Sequence, residues 1–174
     1  MRCSPLITLT LVAACSKAPA REDGRSTVPP PSAASPDQAE AAAPAVPTAR
    51  ITLDGTTGAH VVAAEVVKSS GRVQKGLMFR KFLPPDGGML FLMGEEDDHH
   101  FWMHNTYIPL DILFIRKDLT VAGILENVQP MDETSRGVGQ PSLYVLELNA
   151  GWAKAHGVSA GTQLHFDGVD AAAL

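Results

Sequence analysis

Phe101-Trp-Met-His-Asn-Thr-Tyr-Ile-Pro-Leu-Asp-Ile-Leu-Phe-Ile115 is the stretch on which the fold of this chain turns. It is aromatic and apolar for most of its length, yet it holds a His-Asn-Thr turn and one carboxylate, Asp111. As a strand it places Asp111, Leu113 and Ile115 on one face and Leu110, Ile112 and Phe114 on the other. Pro109 is tolerable near the strand start, where its missing N–H does no harm. A carboxylate in such a run must be hydrogen-bonded or paired, because an unpaired buried charge is very costly. Whatever surrounds Asp111 is therefore the first place to look for a site.

Working outward, short apolar runs recur between turn signals. Ile51–Gly55 and His60–Val67 read as strands joined by Asp54, Gly55 and Gly58 turn chemistry. Ser69 or Ser70 caps a predicted helix running to about Phe79, with Val73 and Leu77 one turn apart. Gly76 weakens that helix and implies close packing against a neighbour. Pro84-Pro85-Asp86-Gly87-Gly88 stops it. Met89–Met93, Phe101–Met103, Ile108–Ile115, Thr120–Leu125, Leu143–Leu148 and Thr162–Phe166 are the further predicted strands, and Gly94–Asp98 reads as an exposed loop. Asn149 is a good N-cap for a second helix from Ala150 to about His156, with Gly157 just beyond its end. The expected fold is α+β: a mainly antiparallel, barrel-like sheet of about seven or eight strands with two short helices.

The N-terminal third differs in composition. Arg2 precedes an apolar run, Leu6–Ala14, too short to span a bilayer but the right size for a signal-peptide core. The run ends in Val12-Ala13-Ala14-Cys15, which resembles the bacterial lipobox; the resemblance implies that Cys15 carries the lipid and anchors the chain to a membrane. Ser16 rather than Asp follows, which by the enterobacterial sorting rule implies the outer membrane, facing the periplasm. Residues 16–49 are rich in Ala, Pro and Ser, without apolar periodicity, and read as a disordered tether. Such a tether spans roughly 30 Å as a flexible coil and about 100 Å as polyproline II. Residues 1–15, 16–49 and 50–170 are thus a leader, a tether and one globular domain.

Both cysteines, Cys3 and Cys15, lie in the leader, so the domain has no disulfide, zinc–thiolate site or cysteine nucleophile. A net charge of −5 argues against nucleic acid, and no Lys/Arg cluster stands out against that. There is no Gly-x-Ser-x-Gly elbow, P-loop or dinucleotide fingerprint, and no cofactor is expected.

Gly76-Leu-Met-Phe-Arg80, Gly88-Met-Leu-Phe91, Phe101-Trp-Met-His-Asn-Thr106, Ile108-Pro-Leu-Asp-Ile112 and Leu146-Glu-Leu-Asn-Ala-Gly151 resemble, in order and spacing, the bacterial and archaeal family called domain of unknown function 192. The resemblance implies a compact α+β domain, often exported, and supplies no catalytic residue set. A lysine usual in the Phe-Trp-Met-Lys-Asn-Thr motif is His104 here, so a positive charge at that point requires a protonated imidazole.

Three functions are weighed. The first is a non-enzymatic envelope domain that binds a small polar ligand, a glycan or an envelope protein through Arg80, Trp102, His104, Asn105, Thr106 and Asp111. In it Arg80 forks onto Asp111, with Glu147 nearby; the alternative is that Asp111 ties down the His-Asn-Thr turn and accepts from Arg80 for the fold alone. The second is a hydrolase using Asp111 and His104, which would have to reach a common atom. The third is Cu(I) binding through methionines such as Met89, Met93 and Met103, with histidine, although methionine also fills core gaps. The acids and histidines of Glu95–His100 lack metal-ligand spacing and read as a solvated loop, so no metal site is assigned.

Overall fold

In the computed structural model, which describes residues 47–169, the period-two patterning becomes a seven-stranded sheet. The elements in chain order are β1 (Thr48–Gly55), β2 (Gly58–Val67), α1 (Ser70–Lys75), β3 (Gly87–Asp97), β4 (Leu110–Ile115), β5 (Val121–Val128), β6 (Ser142–Asn149), α2 (Trp152–Ala155) and β7 (Leu164–Asp167). The spatial order is β5-β4-β6-β3-β2-β1-β7. The leader, Cys15 and nearly all of the predicted tether lie outside the described residues.

Two features correct the expected sheet. It is mixed: β2 and β3 run parallel, Ala63 opposite Gly87 through Val67 opposite Phe91, and every other pair is antiparallel. Parallel neighbours need a long crossover, and the connection from Lys68 to Asp86, carrying α1 and the Pro-Pro turn, provides it. Nor is the sheet a closed barrel. Its edge strands β5 and β7 touch only at one corner, through the bridge Thr120–Gln163 and bonds such as Leu164 N–H to Leu119 O at 2.8 Å.

Local differences have local causes. Phe101–Met103 is no strand; Phe101 makes a single bridge to Arg136, and its ring packs edge-on between Phe91 and Phe114. Gly94–Asp97 is the exposed continuation of β3 beyond a register shift, with Asp97 opposite Ser142. The first helix stops at Lys75 because Gly76 turns to φ 47°. Asn149 caps no helix; its amide donates instead to Pro84 O at 2.8 Å, and left-handed Gly151 opens α2.

Both sheet faces are covered. Leu90, Leu92, Leu113, Ile115, Leu146 and Leu148 pack on one side with Trp152 and Ala153 of α2. Met89, Phe91, Ile112, Phe114 and Val145 pack on the other beneath Leu77, Leu83 and Met103. Alternation therefore assigns each strand carboxylate to one side or the other.

Candidate functional site

That assignment separates the residues grouped from the sequence. Asp111 follows the face of Leu113 and Ile115. It is fully buried, with both oxygens taken by backbone amides: Oδ1 accepts from Asn127 N at 2.8 Å and Gly151 N at 3.0 Å, and Oδ2 from Ala153 N at 2.9 Å. It thus caps the first turn of α2 and holds the irregular β4–β5 register. The expected polar pocket around Asp111 does not form.

Arg80 lies on the opposite face and forks onto Glu65 rather than Asp111, with Nη2 2.6 Å from Oε2. His104 does not share an atom with Asp111 either. Its Nδ1 lies 2.7 and 2.9 Å from the Glu133 oxygens, and its ring stacks on Trp102 at 5.2 Å. Asn105 takes a left-handed φ of 51° and its carbonyl accepts from Phe79 N at 2.8 Å. Thr106 is buried; its N–H donates to Met103 O and its carbonyl accepts from Met131 N, both at 3.1 Å.

The carboxyl that does face an opening is Glu147 on β6, opposite Met89 of β3 and Ile112 of β4 in the apolar face. It is 5 % exposed, and its Oε2 has no hydrogen-bond partner. Burial pushes its pKa up to about 8, against the lowering pull of Arg80's charge and of the Leu77 N–H. Burial thus favours its protonated form, which can donate as well as accept. Glu147 borders a cavity of about 180 Å³ walled by Val73, Gly76, Met78, Met93 and Phe101. Trp102, Thr106, His100, Gln74 and Lys75 complete the lining. Gly76 lies against this carboxyl: a Cβ on it would make ordinary contact with the Phe91 ring at 3.4 Å and Glu147 Oε2 at 3.6 Å, and its φ of 47° is what disfavours a side chain there.

Of the residues chosen from sequence, the structure brings Trp102 and Thr106 to this cavity. His104 stands behind Trp102, and Arg80 acts on Glu147 through its charge. From the sequence Glu147 reads only as a neighbour of Asp111, not as a site residue. Its signal was available: an acid in Leu143–Leu148, a run as apolar as that of Asp111.

Among the described residues no group of three or more His, Cys, Asp or Glu side chains is placed to hold a metal ion. Of the methionines weighed for copper, Met89 and Met103 are buried in the core, and Met93 reaches the cavity beside Met78 and His100. No helix among the described residues is long and apolar enough to cross a membrane.

The profile of family DUF192, described as an uncharacterized ACR, matches residues 50–166. Two of the solved structures that resemble the chain are these. One, from Sinorhizobium meliloti 1021, is of a protein provisionally assigned as a transcription regulator; it is 41 % identical over 70 % of this chain and 95 % of that one, with a TM-score of 0.67. The other, a protein of unknown function from Novosphingobium aromaticivorans DSM 12444, is 42 % identical over 72 % and 94 %, also with a TM-score of 0.67. No curated protein matches.

Proposed function

The chain belongs to the DUF192 family, which carries no assigned activity, and from its own geometry we propose a binding domain that takes a small, neutral, hydroxyl- or amide-bearing ligand in the cavity bordered by Glu147. One observation carries this reading: a buried carboxyl oxygen without a partner beside an opening lined mainly by apolar side chains. Such a group is costly unless something bonds to it, and ligand sites combine apolar walls with a few placed polar groups in this way. Trp102, half exposed at the rim, offers a ring face on which a sugar could stack. A hydrolytic role for Asp111 and His104 has no support in the geometry, since each is engaged elsewhere.

The test is NMR titration with neutral monosaccharides and acetylated amino sugars. Amide shifts at Gly76 and Thr106 and at the Trp102 indole are expected, kept in Glu147→Gln and lost in Glu147→Leu. Shifts that survive Glu147→Leu unchanged would remove Glu147 from the site. Full silence toward these probes, with Glu147→Leu more stable than the parent, would make the carboxyl a relic of the fold.

A second reading is favoured by Met78, Met93 and His100 lining this same cavity, donors suited to Cu(I). A Cu(I) titration unchanged by Met78→Leu/Met93→Leu would end it.

The envelope setting belongs to the same proposal. Lipid on Cys15 would anchor the chain to a membrane, in an outer-membrane, periplasm-facing position, and residues 16–46 would hold the domain at a distance, since Thr48 and Ala49 belong to β1. The apolar run closing in Val12-Ala13-Ala14-Cys15 supports it. Release from membranes in Cys15→Ser is expected, and continued partitioning of that variant would overturn the anchor.

A further inference from the structure

Between Glu65 and Asp86 the chain carries Lys68, Arg72, Lys75, Arg80 and Lys81 and no acidic residue, although the whole protein has a net charge of −5. Arg80 is taken by Glu65; the other four are exposed and make no ion pair among the described residues. The same segment, and the turn packed on it, carry the exposed rings: Phe79 at 56 %, Phe82 at 71 %, Trp102 at 50 % and Tyr107 at 44 %. Cations and rings meet in pairs. Phe79 and Tyr107 meet edge to face at 6.3 Å, Lys75 and Trp102 border one shallow depression, and Lys81, Phe82 and Ile108 border another.

Phe79 also holds a left-handed backbone, φ 66°, a conformation costly for an aromatic residue. Burial of the ring does not compensate, since the ring points outward. The chain arriving from the leader joins the domain beside this face: Val66 N donates to Pro47 O at 2.7 Å, and Thr48 pairs with Glu65.

We propose that this basic, aromatic face docks on the surface of an anionic phospholipid bilayer. Aromatic side chains settle at the bilayer interface, where a ring finds hydrocarbon and its polar edge finds water. Each surface cation there strengthens binding roughly fivefold. The rest of the protein is acidic and is repelled by the same surface, so the attraction is oriented and acts within about 10 Å. Duplex DNA would also attract the cations but offers no seat for four protruding rings. The proposal rests on the Cys15 anchor only for its setting in the cell, since a tether raises the local concentration of the face at the membrane.

The test uses the full chain carrying Cys15→Ser, which cannot be acylated, with vesicles of phosphatidylcholine alone and of phosphatidylcholine mixed with phosphatidylglycerol. Co-sedimentation should be stronger with the mixed vesicles and weaken with salt. Trp102 emission should shift to the blue, because Trp152 is already buried. Lys75→Glu/Lys81→Glu should lower the partition at least tenfold, and Phe79→Ser/Phe82→Ser should lower it with no loss of folded signal. All variants keep Leu6–Ala14, so any partition due to the leader cancels between them. Equal binding to both vesicle types, unchanged partition in both double variants, or an unmoved Trp102 emission would each overturn the proposal. Retention on duplex DNA in place of vesicles would reassign the face to nucleic acid. Loss of membrane association by Cys15→Ser in cells bears on the anchor alone.

Discussion

Glu147 and Asp111 are both acids in apolar strands, and their environments give them opposite properties. Asp111 receives three backbone N–H bonds; Glu147 receives none at Oε2 and is raised to about 8. Linkage then fixes the sign of its effect on stability. Between its ordinary value of 4.5 and about 8 the folded state keeps a proton that the unfolded state releases, so stability falls as pH rises through that window and levels off above it. The slope amounts to up to about 1 kcal/mol per pH unit. Asp118 and Asp132, held low chiefly by side-chain hydrogen bonds from Thr120 and Arg136, have already ionised and add no slope there. Thermal melting from pH 5 to 8 should therefore show a decline that Glu147→Gln flattens, and parallel curves for the two proteins would mean that the carboxyl is ionised in the folded state. That a buried acid matters was legible in the sequence. Which acid faced the cavity was not, because alternation within one strand does not say which sheet face carries the opening.

At the scale of elements, Asp111 works as a joint. It binds the start of α2, a single turn too short to hold its own shape, to the end of β5 through the Asn127 N–H. Asp111→Asn replaces one acceptor oxygen with a donor facing a backbone N–H. A loss of roughly 1–3 kcal/mol in denaturant unfolding is expected, with ligand shifts at Gly76 and Trp102 unaffected in the folded fraction. Loss of those shifts at full stability would return Asp111 to the site. The strands were legible because apolar runs and turn residues bound them: β1, β2, β4, β5 and β6 lie close to where patterning placed them. What patterning missed was long-range. The parallel β2–β3 pair depends on where the Lys68–Asp86 crossover returns, and the extended start at Phe101 gave way to ring packing against Phe91 and Phe114. Asn149 was read as a cap from its residue type, whereas the side chain that caps α2 comes from Asp111, distant in the chain.

On the whole-molecule scale, net charge concealed its own distribution. A total of −5 argues against nucleic acid, and the basic segment does not stand out as a cluster because its cations are spaced along the chain. Folding gathers them with the aromatic turn from residues 101–109, and no one-dimensional window shows that meeting. The entry of the chain into the sheet has a consequence of the same kind. β1 lies between β2 and β7, so the first strand of the domain is interior, and Ile51 and Leu53 are fully buried. Removing residues 1–46 should leave the thermal midpoint of the domain unchanged, since the Ala-, Pro- and Ser-rich stretch from residue 16 onward has no apolar periodicity with which to bury surface. Extending the deletion through Leu53 strips β2 and β7 of their shared partner and leaves a core cavity, and side-chain losses of this kind already cost about 2–5 kcal/mol each. That longer deletion should yield no cooperative melt. A folded product from it would mean that β2 and β7 can pair without β1; a lowered midpoint from the shorter one would show that the segment before Pro47 packs on the domain.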